Sequence, residues 1–517
     1  MKKLPIGIST LEEILNNDYL YVDKTSLVAE MANGKYYFLS RPRRFGKSLL
    51  VDTFKQAFLG NQKLFDGLHL ENNWDWSKKY PVIHFDFGVS STYGGKEKVL
   101  ETTWIVLNHH AKEYGITFES DDIGLAFQEL IHKLYEKTNQ QVVVLIDEYD
   151  KPMLDVITDE SLVFTVREIL KSLYSAIKSN DAYLKFVFLT GVTKFSKVGL
   201  FSGLNNLYDI TLTPQYANIC GYTQTDLESV FADYLKQGNV DKDKLKLWYN
   251  GYNFGGSPEQ KVYNPFDVLL FCGNNFEYRN YWFETGNPEF LIKLIQKNKY
   301  YFPNMENYVA SEMMLATFDI PNLELTALLF QAGYLTIKEK TTVGAQFAYV
   351  LGYPNLEIQI SLNDALATLG SKSENKIVGM QKLIRCLEVA DFNTLGQIFQ
   401  SHFASIPHDW YRNNDIQHYE GFYASIVYSL FCALGYDVTA EDKTNVGQLD
   451  LTIKSADKIL ILEFKLKKYG DAATALQQIK DKRYAEKYVS DKKPIYLVGM
   501  SFDNETRNMC ELVCETY

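Results

Sequence analysis

The fold is decided by residues 36–54, which read YYFLSRPRRFGKSLLVDTF. Four apolar residues, 36–39, are followed by a loop that ends in Gly46, and an apolar helical pattern starts at Leu49. This order of strand, loop and helix is the context of a phosphate-binding loop, because backbone N–H groups at the start of a helix point at phosphate oxygens. The stretch therefore predicts an α/β domain with a triphosphate site after its first strand.

The loop carries the groups that a triphosphate and its Mg²⁺ ion need. We expect Lys47 to reach the β- and γ-phosphates, and the hydroxyl of Ser48 to ligate Mg²⁺. Gly46 lets the backbone approach the phosphates closely. The remaining members of the predicted nucleotide-binding set in this loop are Arg43, Arg44, Phe45 and Leu49.

One position departs from the pattern G-x-x-x-x-G-K-[ST], because Arg41 stands where the first glycine belongs. A Gly-Lys-Ser tripeptide alone is common, so a chance match is the alternative. The sequence also leaves three roles open for Arg43 and Arg44, which are to steady phosphates, to cap the site or to contact another subunit.

A second motif supports the nucleotide site. Residues 142–148 read VVVLIDE, a buried strand that ends in two acids. The carboxyl end of such a strand lies at the ligand-binding edge of a parallel sheet. We expect Asp147 to hold Mg²⁺ and Glu148 to polarise the attacking water. The alternative is an exposed acidic strand end.

The other apolar runs complete a parallel sheet wrapped by helices. They cover 82–87, 186–189 and 207–212, and their near-continuous hydrophobicity indicates strands buried on both faces. In ATPases with a strand added between the two phosphate-site strands, a polar residue at its end senses the γ-phosphate. Thr190 and Thr193 are the candidates for this sensor. The alternative is an ordinary strand-to-loop transition. We include Thr193 in the predicted nucleotide-binding set.

The C-terminal region contains a second cluster of charged residues on strands. Residues 448–453 read QLDLTI and place Asp450 in an alternating strand, and 459–466 read ILILEFKL. Glu463 and Lys465 share one face of the second strand, because side chains alternate along it. Burying such charges is costly without a metal or a partner.

This cluster predicts metal-assisted hydrolysis of a phosphodiester. Asp450 and Glu463 would bind Mg²⁺ or Mn²⁺ through carboxylate oxygens, and Glu420, at the start of an upstream helix, would add or orient a ligand. Lys465 would orient the water or stabilise the negative charge of the transition state. Glu441 is a weaker candidate for the role given to Glu420.

Several motifs of the N-terminal half together resemble the bacterial AAA-ATPase-like family, in which the arginine-bearing loop is the usual form. They are YVDKT at 21–25, the loop at 41–48, LIDEY at 145–149 and TGVTKFS at 190–196, followed by WYNGY at 248–252 and YNPF at 263–266. From the residues alone, the last two read as core and turn residues of a helical subdomain.

The C-terminal cluster resembles the PD-(D/E)xK nuclease superfamily, and specifically the nuclease-like domain fused behind AAA-ATPase-like domains. Gln478 and Tyr484 on the following helix fit the resemblance, and Gln478 would contact substrate or support the site. Gly447 to Leu449 precede Asp450, so the proline of the superfamily's name is absent.

We therefore predict an α/β chain of four parts. They are a P-loop ATPase domain at 1–215 with a parallel sheet, a helical subdomain at 216–300, a winged-helix-like and helical region at 301–400, and a restriction-endonuclease-like α/β domain at 401–517. Within the third part we expect a helix running into residues 331–337, a β-hairpin that includes 347–351, and helix at about 375–400.

The amino-acid composition limits the kinds of partner that the protein can bind. The net charge of −11 over 517 residues argues against a wholly basic nucleic-acid-binding surface, but not against one basic groove. Basic residues between 465 and 493 favour either such a groove or a solvated face of mixed charge. We expect a cytoplasmic protein with reduced cysteines and no membrane span, and we expect Cys510 and Cys514 to share a helical face rather than to form a zinc knuckle.

Three functions follow as hypotheses. The first is an ATPase, with ATP and Mg²⁺ as cofactors, that controls a Mg²⁺- or Mn²⁺-dependent nuclease. The second is an ATP-dependent switch or interaction protein with an inactive nuclease-like domain, and the third is a motor stimulated by nucleic acid. DNA is favoured over RNA as partner, and homo-oligomers are expected.

Overall fold

The computed structural model describes residues 1–89, 95–157, 159–194, 206–285, 305, 307–315, 325–344, 346–367, 376–405, 420–444 and 447–517. The chain divides into two compact units, Met1–Trp282 with Tyr308–Asn355 and Phe283–Asn307 with Leu356–Tyr517. The predicted four-part division is finer than this and stays a prediction. Phe195 and Ser196 of the predicted TGVTKFS motif lie outside the described residues.

The first unit is built around a five-stranded parallel sheet. Its strands are β1 (Tyr36–Ser40), β2 (Val82–Asp86), β3 (Val142–Asp147), β4 (Leu184–Gly191) and β5 (Tyr208–Asp209). The spatial order is β2-β3-β4-β1-β5, and every pairing is parallel. The predicted sheet is thus confirmed, and β4 lies between the two strands that lead to the phosphate loop and to the paired acids.

Seven helices of this unit accompany the sheet. They are α1 (Leu11–Asn16), α2 (Thr25–Met31), α3 (Lys47–Phe58), α4 (Gly95–Glu113), α5 (Ile123–Thr138), α6 (Lys151–Leu154) and α7 (Glu160–Ser179). All residues of β1 and β3 are buried, and so are Phe54 and Phe58 of α3. The apolar face of α3 therefore packs on the sheet and holds the phosphate loop at the end of β1.

A helical segment with a small two-stranded sheet follows the parallel sheet. It contains α8 (Gln224–Val230), α9 (Ala232–Gln237), α10 (Lys242–Tyr249), β6 (Asn250–Tyr252), β7 (Val262–Tyr263), α11 (Pro265–Gly273) and α12 (Tyr281–Thr285). Gly251 has φ +125°, and a Cβ there would lie 2.0 Å from the carbonyl oxygen of Pro354, so only glycine fits.

The predicted helix and hairpin of the middle region are present. Strand β8 (Tyr308–Ser311) and α13 (Glu312–Leu315) precede α14 (Leu325–Ala332), and the antiparallel hairpin of β9 (Thr336–Val343) and β10 (Gln346–Gly352) follows it. The strands form a sheet in the order β8-β10-β9. We call α14, β9 and β10 the helix–hairpin element.

The second unit contains helices and a mixed sheet. The helices are α15 (Leu356–Ala367), α16 (Lys376–Val389), α17 (Phe392–Ala404), α18 (Glu420–Ala433) and α19 (Ala472–Asp481). The strands are β11 (Asp437–Lys443), β12 (Gln448–Lys454), β13 (Ile459–Leu466), β14 (Ile495–Asp503) and β15 (Asn508–Thr516), in that spatial order. Only the β13–β14 pairing is parallel.

One prediction about the cysteines is wrong. Cys510 and Cys514 lie on strand β15, not on a helix, and Cys510 lies at an irregularity of the β14–β15 register, between Met509 and Glu511. Cys510 is exposed, whereas Cys220 and three other cysteines are buried, and all six are free thiols. Among the described residues, no helix combines the length and the hydropathy that a membrane span requires.

Candidate functional site

The phosphate loop runs from β1 to α3, which begins at Lys47. Gly46 caps this helix with φ +88°, in the left-handed region that side chains with a Cβ adopt at a cost. Arg44 also has a positive φ, of +65°. The loop thus turns sharply into the first turn of α3, as phosphate binding by backbone N–H groups requires.

The ammonium group of Lys47 is buried inside this loop. Its Nζ donates to the carbonyl oxygens of Arg41 at 3.1 Å and Pro42 at 3.0 Å. An ammonium has three N–H groups, so one is left for a phosphate oxygen. Burial lowers the pKa of Lys47, and the charges of Asp147 and Glu148 oppose that shift.

Arg41, at the place of the missing glycine, is a fully buried structural residue. Its guanidinium donates to the carbonyl oxygens of Ser40 and Thr211, both at 2.9 Å, and of Tyr216 at 3.1 Å. It also lies 4.0 Å from the ring centre of Phe254. Burial lowers the pKa of Arg41 to about 10. The arginine therefore ties the start of the loop to the segment after β5.

The outer side of the loop packs on aromatic residues. Phe45 is buried against Tyr252 and Phe254, with ring centres 4.8 and 5.7 Å away. Arg44 is exposed and lies over the ring of Phe266. Tyr252 and Phe266 belong to the WYNGY and YNPF motifs, so these motifs pack directly on the phosphate loop, which the sequence did not predict.

Arg43 and Leu49 complete the predicted loop set. The side chain of Arg43 is exposed, and its carbonyl oxygen accepts a hydrogen bond from Trp282 at 3.1 Å. Leu49 is half-buried, and its carbonyl oxygen accepts from Thr53. An exposed Arg43 next to the loop is free to meet a phosphate, but its three possible roles stay open.

The predicted Mg²⁺ residues lie together. Asp147 ends β3 and is buried, and its carboxylate is hydrogen-bonded to the side chain of Ser48. Burial raises the pKa of Asp147, whereas Ser48 and Lys47 lower it. Glu148 follows with φ +49°, a left-handed conformation that turns it away from the strand. Burial also raises the pKa of Glu148.

A third acid, Asp86, completes this edge of the sheet and was not predicted. It ends β2 and is the register partner of Asp147 on β3. Its charge adds to the burial that raises the pKa of both Asp147 and Glu148. The signal was present in the sequence, because Asp86 places a charge within the apolar run 82–87.

The two predicted γ-phosphate sensors donate their hydroxyls to protein groups. Thr190 Oγ1 donates to the carbonyl oxygen of Leu39 at 2.9 Å. Thr193 Oγ1 donates to Asp150 Oδ2 at 2.6 Å, and the same carboxylate accepts from the backbone N–H groups of Thr193 and Val192. Asp150 thus joins the ends of β3 and β4, and the contact of Thr193 with nucleotide stays a prediction.

The second site lies in the C-terminal sheet. Glu463 is buried on β13; its Oε1 accepts from Gln478 Nε2 and lies 3.5 Å from Lys465 Nζ. Its Oε2 has no hydrogen-bond partner in the described part of the chain. Asp450 Oδ2 accepts from the backbone N–H of Phe464 at 2.7 Å, so β12 brings it beside Glu463.

Glu420 also reaches this site from the start of α18. Its Oε2 accepts from the backbone N–H of Leu466 at 3.1 Å, and its charge raises the pKa of Asp450. Glu441 lies on β11 with φ +49° and is exposed, and its charge acts on Asp450 in the same direction. The structure therefore brings together the four residues predicted for this site, Glu420, Asp450, Glu463 and Lys465.

The electrostatics of this cluster suit a cation. Burial, with the charge of Asp450 next, raises the pKa of Glu463 to about 8. Burial raises the pKa of Asp450 to about 6. Within the described ranges, no three Asp, Glu, His or Cys side chains converge as a complete metal site. The unpaired Oε2 of Glu463 and the carboxylate of the neighbouring half-buried Asp450 nevertheless are hard oxygen ligands that fit a divalent ion.

The neighbours of the cluster hold it in place. Gln478 is hydrogen-bonded to Tyr484, whose hydroxyl donates to the carbonyl oxygen of Gln448 at 2.8 Å. Asp442, which was not predicted, is buried and accepts from Thr452 and Tyr488. These contacts fix the 3₁₀ segment Tyr484–Asp491 against the strand that bears Asp450.

The basic residues after the site are largely paired with acids. Lys467 lies 3.3 Å from Asp503, and Lys480 lies 2.5 Å from Glu515. Lys487 pairs with Asp442. This pattern agrees with the solvated mixed-charge face that was one of the two predicted alternatives.

Comparison with known proteins identifies the families of two domains. Residues 5–201 match a family model described as a predicted AAA-ATPase, and residues 418–512 match the PD-(D/E)XK nuclease superfamily. The chain is also 44% identical to a protein of Azotobacter chroococcum mcd 1 named "Uncharacterized protein in vnfD 5'region". That alignment covers 100% of this chain and 99% of the relative.

Proposed function

The chain belongs to the same family as this Azotobacter protein, with an AAA-ATPase-like domain and a PD-(D/E)XK nuclease superfamily domain. From these two domains we propose that the protein hydrolyses ATP and thereby controls its own nuclease domain. Its C-terminal domain would cleave phosphodiester bonds of nucleic acid, with DNA favoured over RNA. A cytoplasmic location and assembly into homo-oligomers stay predictions.

The buried Lys47 inside the loop is the observation that supports the nucleotide site. Its remaining N–H would meet the β- and γ-phosphates, and Ser48 with Asp147 would hold the Mg²⁺ that accompanies ATP. Glu148 would accept a proton from the attacking water. The raised pKa of Glu148 makes it a stronger base than an exposed carboxylate once it is ionised.

The unpaired oxygen of Glu463 is the observation that supports the nuclease site. Asp450 and Glu463 would hold Mg²⁺ or Mn²⁺, with Glu420 as a third ligand. A divalent cation bound there would supply activated water and offset negative charge on the phosphate. Lys465 would orient the water or stabilise the charge that develops on the phosphate oxygens.

A specific observation favours the second candidate function, a switch with an inactive nuclease-like domain. Burial raises the pKa of the Glu463 carboxyl, which favours its neutral form in the absence of a cation. Among the described residues no three carboxylates converge as a metal site, and Glu420 Oε2 is engaged by the backbone N–H of Leu466.

Nucleotide binding is tested with two matched lysine variants of α3. Lys47→Met is expected to abolish binding of ATP in the presence of Mg²⁺, measured by titration calorimetry. Lys55→Met, on the same helix but outside the loop, is expected to bind as the wild type does. Equal binding by Lys47→Met and the wild type would contradict the proposed site.

Nuclease activity is tested on plasmid, linear duplex, single-stranded DNA and RNA, with Mg²⁺ or Mn²⁺, with and without ATP. We expect the wild type to cleave one of these substrates and Asp450→Asn not to. Asp457→Asn, on an exposed position of the same domain, is the control and is expected to cleave normally. If all three proteins are inert while ATP binds, the switch becomes the better explanation.

A further inference from the structure

The phosphate loop has two faces with different partners. Its inner face carries the N–H groups and Lys47, which would meet phosphates. Its outer face is held within the first unit: the indole N–H of Trp282 donates to the carbonyl oxygen of Arg43 at 3.1 Å. The ring of Trp282 in turn lies edge-on to Tyr334, with ring centres 5.2 Å apart.

The helix–hairpin element touches the same stretch of the loop. Gly333, directly after α14, has φ +92°, and a Cβ there would lie 2.7 Å from Cβ of Pro42 and 3.5 Å from the ring of Trp282. Only glycine allows so close an approach together with this backbone conformation. Pro42 therefore lies against the end of α14, and Arg43 is bonded to Trp282.

A second contact joins α14 to the other side of the nucleotide site. The side-chain oxygen of Gln331 accepts from the backbone N–H of Lys194 at 3.0 Å, and its amide N–H donates to the carbonyl oxygen of Leu315 at 2.9 Å. Lys194 follows Thr193, which is bound to Asp150 at the end of β3. The helix–hairpin element thus contacts both the phosphate loop and the end of β4.

A cavity lies beside this element. It has a volume of about 410 Å³ and is lined by Pro42, Lys194, Gln331, Phe347 and Tyr349 among others. Pro42 of the loop, Lys194 after β4 and Gln331 of α14 therefore border open space on one side rather than a close-packed interior.

We propose that Trp282 is a positioning residue of the phosphate loop and that, together with Gln331, it transmits nucleotide binding to the helix–hairpin element. This inference rests on the proposed ATP site. Trp282 holds the loop through the Arg43 carbonyl, and so it acts on nucleotide affinity. The side chain of Gln331 binds Lys194 and Leu315 rather than a residue of the loop, and so it acts on the exchange response of the helix–hairpin element.

The test is hydrogen exchange of residues 325–344 and 346–352 in the full-length protein, with and without a nonhydrolysable ATP analogue and Mg²⁺. Wild-type protein is expected to show slower exchange when the analogue is bound. Trp282→Phe keeps an aromatic ring but loses the donor, so we expect about fivefold weaker binding, the value of one hydrogen bond, and a smaller exchange response at saturation.

Gln331→Met preserves side-chain length and removes both hydrogen bonds. We expect its affinity for the analogue to equal that of the wild type while its exchange response is lost. This split between affinity and response is one that mere loss of folding would not produce. The control is Trp104→Phe on α4, where the tryptophan ring contacts Phe118. This variant is expected to resemble the wild type in both measurements.

Two results would overturn the inference while leaving the proposed function intact. One is a wild type that binds the analogue with unchanged exchange in 325–344 and 346–352. The other is Trp282→Phe and Gln331→Met variants that both match the wild type in affinity and response. A wild type that binds no nucleotide at all would instead remove the proposed function, and this inference with it.

Discussion

Asp86 and Asp147 are register partners at the ends of neighbouring parallel strands, so two carboxylates lie side by side where the sheet meets the phosphate loop. Glu148 belongs to the same group, because a Cβ on Gly88 would lie 2.9 Å from Asp86 Oδ1 and 3.0 Å from Glu148 Oε2. Three acids therefore share the region opposite Lys47. The charge of Asp86 raises the pKa of Asp147, and the charges of Asp147 and Asp86 raise the pKa of Glu148.

Replacing Asp86 by asparagine is expected to shift the pH dependence of ATP hydrolysis. Burial raises the pKa of Glu148, and the charges of Asp147 and Asp86 raise it further. Without the Asp86 charge, Glu148 ionises at lower pH, so the acidic limb of kcat/KM moves toward lower pH. Rates measured between pH 5 and 8 for wild type, Asp86→Asn and the exposed control Asp121→Asn check this. An acidic limb that stays in place or moves upward would contradict it.

Glu148→Gln is expected to separate binding from hydrolysis. The glutamine has the same shape and keeps the hydrogen-bonding contacts of the backbone, but it cannot accept the proton of the attacking water. We expect ATP affinity within about twofold of wild type and turnover lower by about 100-fold or more. Calorimetric titration and a phosphate-release assay on the same samples measure the two effects. Loss of binding together with turnover would show that Glu148 has a structural role instead.

The parallel sheet was predictable because buried strands appear in a sequence as continuous apolar runs, such as 142–146 and 186–189. Glu463 and Lys465 could be placed on one face because strand periodicity is independent of tertiary context. The helical prediction for Cys510 and Cys514 was wrong because a spacing of four residues does not distinguish a helix from a strand.

The partners of the loop could not be predicted, because they come from distant parts of the chain. Arg41 binds carbonyl groups at 211 and 216, and Trp282 binds the carbonyl of Arg43 across more than 200 residues. Backbone carbonyls leave no signature in a sequence, so no motif could reveal these contacts. Asp86 was different, because its charge within the apolar run 82–87 was visible in the sequence and was overlooked.

Restoring the glycine of the phosphate-loop pattern is expected to destabilise this protein. Arg41→Gly removes hydrogen bonds to the carbonyl groups of Thr211 and Tyr216 and the contact with Phe254. Both buried carbonyl groups lose the guanidinium as a donor, and that of Tyr216 keeps only the backbone N–H of Ile219, so we expect a loss of about 2–4 kcal/mol in the free energy of unfolding. Urea denaturation measures it.

Arg44→Gly is the matched control for that experiment. Arg44 is exposed and has a positive φ, so glycine relieves backbone strain there while only the contact with Phe266 is lost. We expect a change within about 0.5 kcal/mol. If Arg41→Gly costs no more than Arg44→Gly, the guanidinium contacts do not stabilise the loop.

Glu463→Gln is expected to stabilise the metal-free protein in a pH-dependent way. The pKa of Glu463 rises from 4.5 to about 8 on folding, chiefly through burial. Below pH 4.5 the carboxyl is neutral in both states and has no effect. Between pH 4.5 and 8 the unfolded chain releases the proton while the folded chain keeps it, so wild-type stability falls through this window. The glutamine variant has no such proton to lose.

The advantage of Glu463→Gln over wild type should therefore be absent near pH 4.5 and reach about 5 °C in melting temperature near pH 8, in the presence of a chelator. Exposed Glu505→Gln is the control and should track the wild type throughout. Added Mn²⁺ should reverse the order above pH 7, because the wild-type carboxylate gains a ligand that the glutamine cannot bind as strongly. A melting difference that is constant with pH, or one that Mn²⁺ does not change, would show that Glu463 is neither held protonated by burial nor a metal ligand.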